Sequence, residues 1–392
     1  MKKAVIVSVA RTPIAKVRGD FAGITVDKLG AIALKAAVEK AGIDPASIDD
    51  VIFGSLFGVD FGNVGRHCVL QAGFPISVPA ITVDRQCASS LSALAMGASM
   101  IATDLADIVL TGGVESYSQM PFIIKRPEAA FPPALEFLPY KSSTPGGIGD
   151  NIAMIPTAEN IAKQYGISRE ESDEFALASH LNAAKAWDSG WFDEQVVPVT
   201  IPQRKGPDKI VDRDACVRPD TTMEAMSRLK PVMGEGHIVT AGNASPMNDG
   251  ASAILLMSED KAKELGLEAL AVVRESAAAG CDPTIMGMGP VYSTRKLMQR
   301  FGYKLDDFDF IEINEAFAAQ SLACIKELGM DKSRVNVEGG AIAIGHPNGA
   351  SGGVVAGRMT YVLRHRHAKL GLVTFCVGGG QGFSLVLENP NA

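Results

Sequence analysis

Three short clusters carry residue types capable of covalent chemistry: Val83-Asp84-Arg85-Gln86-Cys87-Ala88-Ser89-Ser90, Gly345-His346-Pro347, and Cys376-Val377-Gly378-Gly379-Gly380-Gln381-Gly382. In the first, the pattern predicts a strand end running into a helix start, with Cys87 at the junction. Amides and dipole at a helix start favour a thiolate, so this reading predicts a lowered thiol pKa and a nucleophile near neutral pH. In the second, a histidine flanked by Gly and Pro occupies the equivalent turn of what reads as a second half. The third sets Cys376 at a strand end before a glycine run whose bare backbone amides can approach a ligand closely. Brought together, the three turns supply a Cys nucleophile, a His partner, N–H groups for an oxyanion and a second thiol for proton transfer.

Something must bring them together, and an internal repeat does. Ala41-Gly42-Ile43 leads through Ile48-Asp49-Asp50-Val51-Ile52-Phe53, and Phe301-Gly302-Tyr303 leads through Phe308-Asp309-Phe310-Ile311-Glu312-Ile313, at the same spacing and with the same apolar positions. Each copy is followed by a small-residue helix, opening near Cys87 in one half and near His346 in the other. Each helix then runs into an apolar strand that reaches glycines, Ile108 to Gly113 and Leu372 to Gly380. The pattern predicts two α/β halves of common design, with helices covering mixed sheets. Between them, residues 119–248 are richer in Pro and charge and read as an inserted loop domain. Helical pieces are expected there at Ala158 to Tyr165 and Glu170 to Asp188, the second opened by a Ser168/Glu171 capping box. The expected division is 1–118 plus 249–271, 119–248, and 272–392.

A chain of 392 residues with 47% apolar content is long enough for several cores and too apolar for disorder. A formal charge of -7 offers no basic footprint for nucleic acid or an anionic membrane. No stretch reaches the roughly twenty apolar residues that span a bilayer. The six cysteines are scattered without CxxC pairs or finger-like spacing, which argues for free thiols in a reducing cytoplasm and against a metal site. A lone Cys is ordinarily a small core residue, and Cys68, Cys216, Cys281 and Cys324 are read that way. His67 and His180 receive no role. The glycine run does not fit GxGxxG, which rejects a dinucleotide site.

Along essentially its whole length the chain resembles the thiolase family. The resemblance is carried by Ala10-Arg11-Thr12-Pro13, Asp84-Arg85-Gln86-Cys87-Ala88-Ser89, Gly242-Asn243-Ala244-Ser245 with Asn248-Asp249-Gly250-Ala251, Asn314-Glu315-Ala316-Phe317-Ala318, Gly339 to Pro347, and the Cys376 glycine run. It implies an α/β fold of duplicated αβαβα layered halves with an inserted loop domain. It implies an acyltransferase that makes or cleaves 3-ketoacyl-CoA by ping-pong condensation or thiolysis. Cys87 would carry the acyl group, His346 would generate its thiolate, and Cys376 would serve as acid/base. One oxyanion hole would use His346 with a water held by Asn314, the other the amides of Cys87 and Gly378. Arg218, Leu229 and Ser245 would line the CoA channel, and Met154 would border the acyl pocket.

The resemblance further implies acyl-CoA and CoA as substrates, no permanently bound cofactor, and a homodimer or homotetramer. Several positions depart from the family's usual residues: Asp84 stands for Asn, Ser90 for Gly, Ala153 for His, Pro246 for Gly, and Asn348 for an apolar residue. These surround the substrate rather than the reacting atoms. Two alternatives stand beside thiolase, a ketoacyl-synthase-like condensing enzyme and a non-catalytic acyl-CoA-binding homologue. Cys376 in the second acid/base position favours thiolase over the former.

Overall fold

The computed structural model describes residues 2–58, 61–124, 126 and 152–392, with the backbone of 137–138; the insertion expected over 119–248 therefore lies partly outside the described residues. The strands, in chain order, are β1 (Ala4–Arg11), β2 (Ala15–Lys16), β3 (Asp50–Gly54), β4 (Ala80–Val83), β5 (Ile108–Ser116), β6 (Ile123–Ile124) and β7 (Phe137–Leu138). They continue with β8 (Val199–Ile201), β9 (Lys209–Val211), β10 (Asn248–Ser258), β11 (Ala271–Gly280), β12 (Phe310–Ile313), β13 (Leu370–Val377) and β14 (Gln381–Glu388). The helices that position the site are α1 (Val26–Ala41), α2 (Val64–Gln71), α3 (Ser89–Ala102), α4 (Met154–Tyr165), α5 (Arg169–Asp188), α6 (Met223–Ser227), α7 (Glu259–Glu264), α8 (Gly289–Phe301), α9 (Ala318–Leu328), α10 (Ala341–Ile344) and α11 (Asn348–His365).

The repeat is explicit in the strand order, which runs β12-β13-β14-β11-β1-β10-β5-β3-β4. Read outward from the β1–β11 pair, each half has the same sequence of pairings: antiparallel, antiparallel, then parallel. Thus β1, β10, β5 and β3 correspond to β11, β14, β13 and β12. The parallel β3–β4 step has its counterpart in a single parallel bridge between Ile311 and Val335. Side-chain detail repeats as well. Asp49 accepts hydrogen bonds from the amides of Asp107 and Ile108 at the start of β5, and Asp309 accepts from Lys369 and Leu370 at the start of β13. The helices preceding β3 and β12 both end on a left-handed glycine, Gly42 and Gly302, where a side chain would be strained.

Five layers result. Helix α1 packs on β1, β5 and β10, and α8 packs on β11, β13 and β14, so each covers one outer face. Helices α3 and α11 pack on each other and touch strands of both halves, which makes them the central layer. Strand alternation divides the cores accordingly: Val5, Val7, Leu255 and Met257 face the α1 side, while Ala4, Ile6, Ile254 and Leu256 face the centre. A bulge between Ile6 and Ser8 breaks the period in β1, so that Val9 turns to the centre. The expected Ser168/Glu171 capping box is present. The consequence for function is that the starts of α3 and α11, where Cys87 and His346 stand, lie in one layer between the two sheets.

Candidate active site

Cys87 occupies the turn between β4 and α3. The residue before it, Gln86, has φ 46°, a left-handed conformation unusual for a side-chain-bearing residue. Asp84 stabilises this turn by accepting from the Gln86 amide at 2.6 Å. The Arg85 amide donates to Ser89 Oγ at 2.8 Å, which ties the turn to the first residue of α3. The Cys87 thiol is buried and hydrogen-bonded by its own amide and by that of Gly378, from the glycine run of the other half. These amides favour the thiolate, as the sequence suggested, but they do not win. Burial pushes the thiol up to about 11, with smaller repulsions from Glu115 and Asp84. The lowered pKa expected of a helix start is therefore not found, because the thiol is buried.

His346 is buried in the turn before α11. Its amide donates to Asn248 Oδ1 at 2.8 Å. Its ring Nδ1 stands 2.7 Å from Ser351 Oγ, whose own proton goes to the Pro347 carbonyl at 2.9 Å. Having spent its proton, the hydroxyl accepts from Nδ1–H, so the neutral ring presents the Nε2 lone pair to the site. Asn314 Nδ2 faces that lone pair at 3.5 Å. Burial lowers the imidazole to about 4, so it is neutral at physiological pH. Asn314 Oδ1 is buried and has no protein partner among the described residues, an acceptor suited to one water or a ligand hydrogen.

Cys376, fully buried at the end of β13, has its thiol held well above the ordinary range, first by burial and then by the neighbouring Cys87 charge. Around it lie Ala158, Val239, Met286, Ala316 and Phe317, with Met154 and Ile155 from α4 packed against them. Met154, expected at the acyl pocket, packs against this cluster.

The Cys87 and His346 turns are joined by contacts between α3 and α11. The Gly353 amide donates to Ser90 Oγ at 2.9 Å, which gives the serine standing for glycine a defined partner. Gly54, Gly113 and Gly349 meet where three backbones cross: a Cβ on Gly113 would overlap the Gly349 carbonyl, and one on Gly349 would come within 2.6 Å of the Val114 carbonyl.

A cleft of about 320 Å³ opens beside His346 and is lined by Lys16, His180, Cys216, Arg218, Ala244, Pro246 and Met247 among others. Its wall runs directly to the site, since Met247 bridges to His346 and Ala244 to Phe317. Of the expected CoA contacts, Arg218 lines this cleft. Ser245 lies between two lining residues and donates to the Ala316 carbonyl at 3.0 Å. Leu229 is set behind the wall, where a Cβ on Gly242 would come within 2.5 Å of its Cδ1.

Four residues at the site escaped sequence reasoning. His180, lowered to about 4 by burial and then by Arg218, forms cleft wall rather than plain helix. Cys216 also faces the cleft and accepts from Asn248 Nδ2 at 3.3 Å. Ser351 and Glu115 complete the set. Only Glu115 left a signal, a carboxylate inside an otherwise apolar buried strand.

Comparison with known proteins agrees with this geometry. Residues 4–260 match the thiolase N-terminal domain and residues 267–389 the thiolase C-terminal domain. The chain is 44% identical over 391 residues to an acetyl-CoA acetyltransferase of Cupriavidus necator, covering 99% of this chain and 100% of that protein. It is 42% identical over 402 residues to a beta-ketoadipyl-CoA thiolase of Acinetobacter baylyi, covering 99% and 100%. The crystal structure of the Bacillus anthracis acetyl-CoA acetyltransferase superposes with a TM-score of 0.93 at 39% identity, covering 99% of both chains.

Proposed function

The chain belongs to the thiolase family and is an acyltransferase of that class, and from that premise we propose that it forms and cleaves 3-ketoacyl-CoA through an acyl group carried on Cys87. The observation that carries this reading is the Gly378 amide, supplied by the opposite half and aimed at the Cys87 thiol. A donor in that position serves an oxyanion formed on the thiol's acyl group.

In the proposed reaction an acyl-CoA enters along the cleft beside His346. The Cys87 proton passes to the Nε2 lone pair as the sulfur attacks the thioester carbon. The Cys87 and Gly378 amides face the developing oxyanion, while the imidazolium and a water on Asn314 Oδ1 are left to meet the enolate of the second acyl-CoA. Collapse of the tetrahedral species expels the CoA sulfur, which takes the proton of the Cys376 thiol and leaves that cysteine as a thiolate. An acylated Cys87 can carry no charge to oppose that thiolate. Cys376 is then free to take an α-proton from a second acyl-CoA. Its raised pKa suits the task, because a base for a weak carbon acid must itself bind protons strongly. The carbanion attacks the acyl-enzyme carbonyl, releasing 3-ketoacyl-CoA and the Cys87 sulfur, which takes its proton back from the His346 imidazolium, and thiolysis runs the same steps backward.

We assign Arg218 and the Ala244–Met247 segment to CoA, Met154 to the acyl pocket, and the region 119–248 to a loop domain over the site. Leu229 acts from behind by supporting Gly242. Action in the cytoplasm as a homo-oligomer is proposed on the same family grounds. The edge of β4 and its half-exposed Ile81 are an unpaired border of the sheet that a second copy would cover. The test is acetoacetyl-CoA consumption with free CoA, beside a longer 3-ketoacyl-CoA. CoA-dependent turnover that vanishes in Cys87→Ser supports the reading, and full turnover in that variant overturns it.

A further inference from the structure

Glu115 lies on β5 with no exposure to solvent, and no ion pair neutralises it among the described residues. Its carboxylate accepts three backbone amides. Leu56 at 3.2 Å and Phe57 at 3.0 Å come from the loop after β3, in the half that bears Cys87. Gly349 at 3.0 Å is the second residue of α11, three positions after His346. One side chain thus caps a helix of the opposite half while holding a loop of its own. It does so beside the glycine crossing, where Gly54, Gly113 and Gly349 leave no room for a Cβ to brace the junction otherwise. Burial pushes the carboxyl up, but three amides donating to its two oxygens hold the carboxylate form, and Glu115 is the first of the two acids that act on the Cys87 thiol.

We propose that Glu115 is a positioning residue for the acyl-transfer step: it fixes the start of the His346 helix against the Cys87 half and so sets the imidazole relative to the thiol. The proposal rests on the reading of Cys87 and His346 given above. A carboxylate meets all three donors, whereas a glutamine offers one acceptor oxygen and turns an NH2 toward an amide. An aspartate keeps the charge but falls short by one methylene and cannot reach both chain segments.

The test follows acetylation of Cys87 by acetyl-CoA alone, quenched and read as a mass shift on the Cys87 peptide, in wild type, Glu115→Gln and Glu115→Asp, each checked for folding by circular dichroism. In both variants acetylation is expected to slow by about 10- to 100-fold, the cost of a displacement near 1 Å at a reacting centre. The KM for acetyl-CoA should stay within about twofold, since the cleft is untouched. The pH profile of Cys87 alkylation by iodoacetamide separates charge from placement. Its midpoint should fall in Glu115→Gln, which removes a charge opposing the thiolate, and hold in Glu115→Asp, which keeps one. If the Gln variant does not fold, the Asp variant alone carries the test. Wild-type acetylation in either folded variant overturns the proposal. So does failure of both to fold, which would assign Glu115 to the fold rather than the site. Absence of acetylation on Cys87 in the wild type would instead sink the functional reading itself.

Discussion

The amide of Gly378 crosses from one half of the duplication to the thiol of Cys87 in the other, and burial still outweighs it, leaving the thiol at about 11. The His346 imidazole is displaced in the opposite direction, to about 4. The resting pair is therefore thiol and neutral imidazole, not an ion pair, and the proton moves only when an acyl-CoA arrives.

Alkylation should report this directly. With a thiol near 11, the iodoacetamide rate at Cys87 should rise about tenfold per pH unit from pH 7 to 10, following the thiolate fraction. Turnover should behave differently. It requires an unprotonated His346 and a thiol that still holds its proton, so it should lose activity as pH falls toward about 4 and again as pH rises toward about 11. An alkylation rate already level at pH 7 would show a preformed thiolate–imidazolium pair and refute the neutral-pair account.

Ser351 controls which ring nitrogen of His346 faces the thiol, because its own proton is committed to the Pro347 carbonyl. Ser351→Ala leaves Nδ1–H buried without a partner and frees the ring to exchange tautomers. The kcat of thiolysis should drop by about 10- to 100-fold, part of the roughly 100- to 10,000-fold that positioned proton transfer contributes. The KM for acetoacetyl-CoA should be little changed. Wild-type kcat in a folded Ser351→Ala protein would mean that the tautomer is set elsewhere.

Much of the architecture was legible in the sequence because duplication writes it twice. The Gly42 and Gly302 helix ends, the Asp49 and Asp309 strand locks, and the small-residue helices after Cys87 and before Leu370 recur at matched spacing. What was illegible depends on distance in the fold. Glu115 meets Gly349 across 234 positions, and Ser90 meets Gly353 across 263. The acidity of Cys87 was misread for a related reason: a helix start is visible in sequence, whereas the burial that overrides it comes from a core to which both halves contribute.

The Arg11–Asp214 pair should dominate the stability of the β1 end. The guanidinium bonds both carboxylate oxygens, at 2.7 and 2.9 Å, and Asp214 also accepts from the Ile14 amide and Trp187 Nε1. Removing one member strands a buried charge. Asp214→Ala should cost about 3–5 kcal/mol in urea unfolding, and joint replacement by Arg11→Met and Asp214→Leu should recover part of it. A loss below about 1 kcal/mol, the range of an exposed pair, would show that water reaches the site.

Arg218 offers the sharpest separation of binding from chemistry. It is exposed in the cleft lining and is not among the leading influences on the acidity of Cys87 or Cys376. A cation there attracts the phosphates of CoA but has no contact with a thioester carbonyl at Cys87. Arg218→Ala should therefore raise the KM for CoA thioesters by about tenfold, the worth of one charge-assisted contact, while kcat holds. A small acetyl thioester without phosphates should acylate the variant and the wild type at equal rates. The salt dependence of KM should weaken in the variant, since the screened interaction has been removed. Equal losses with the small thioester and with acetyl-CoA would place the effect of Arg218 on the site itself, through His180, whose ring nitrogen accepts from the Arg218 amide at 3.3 Å.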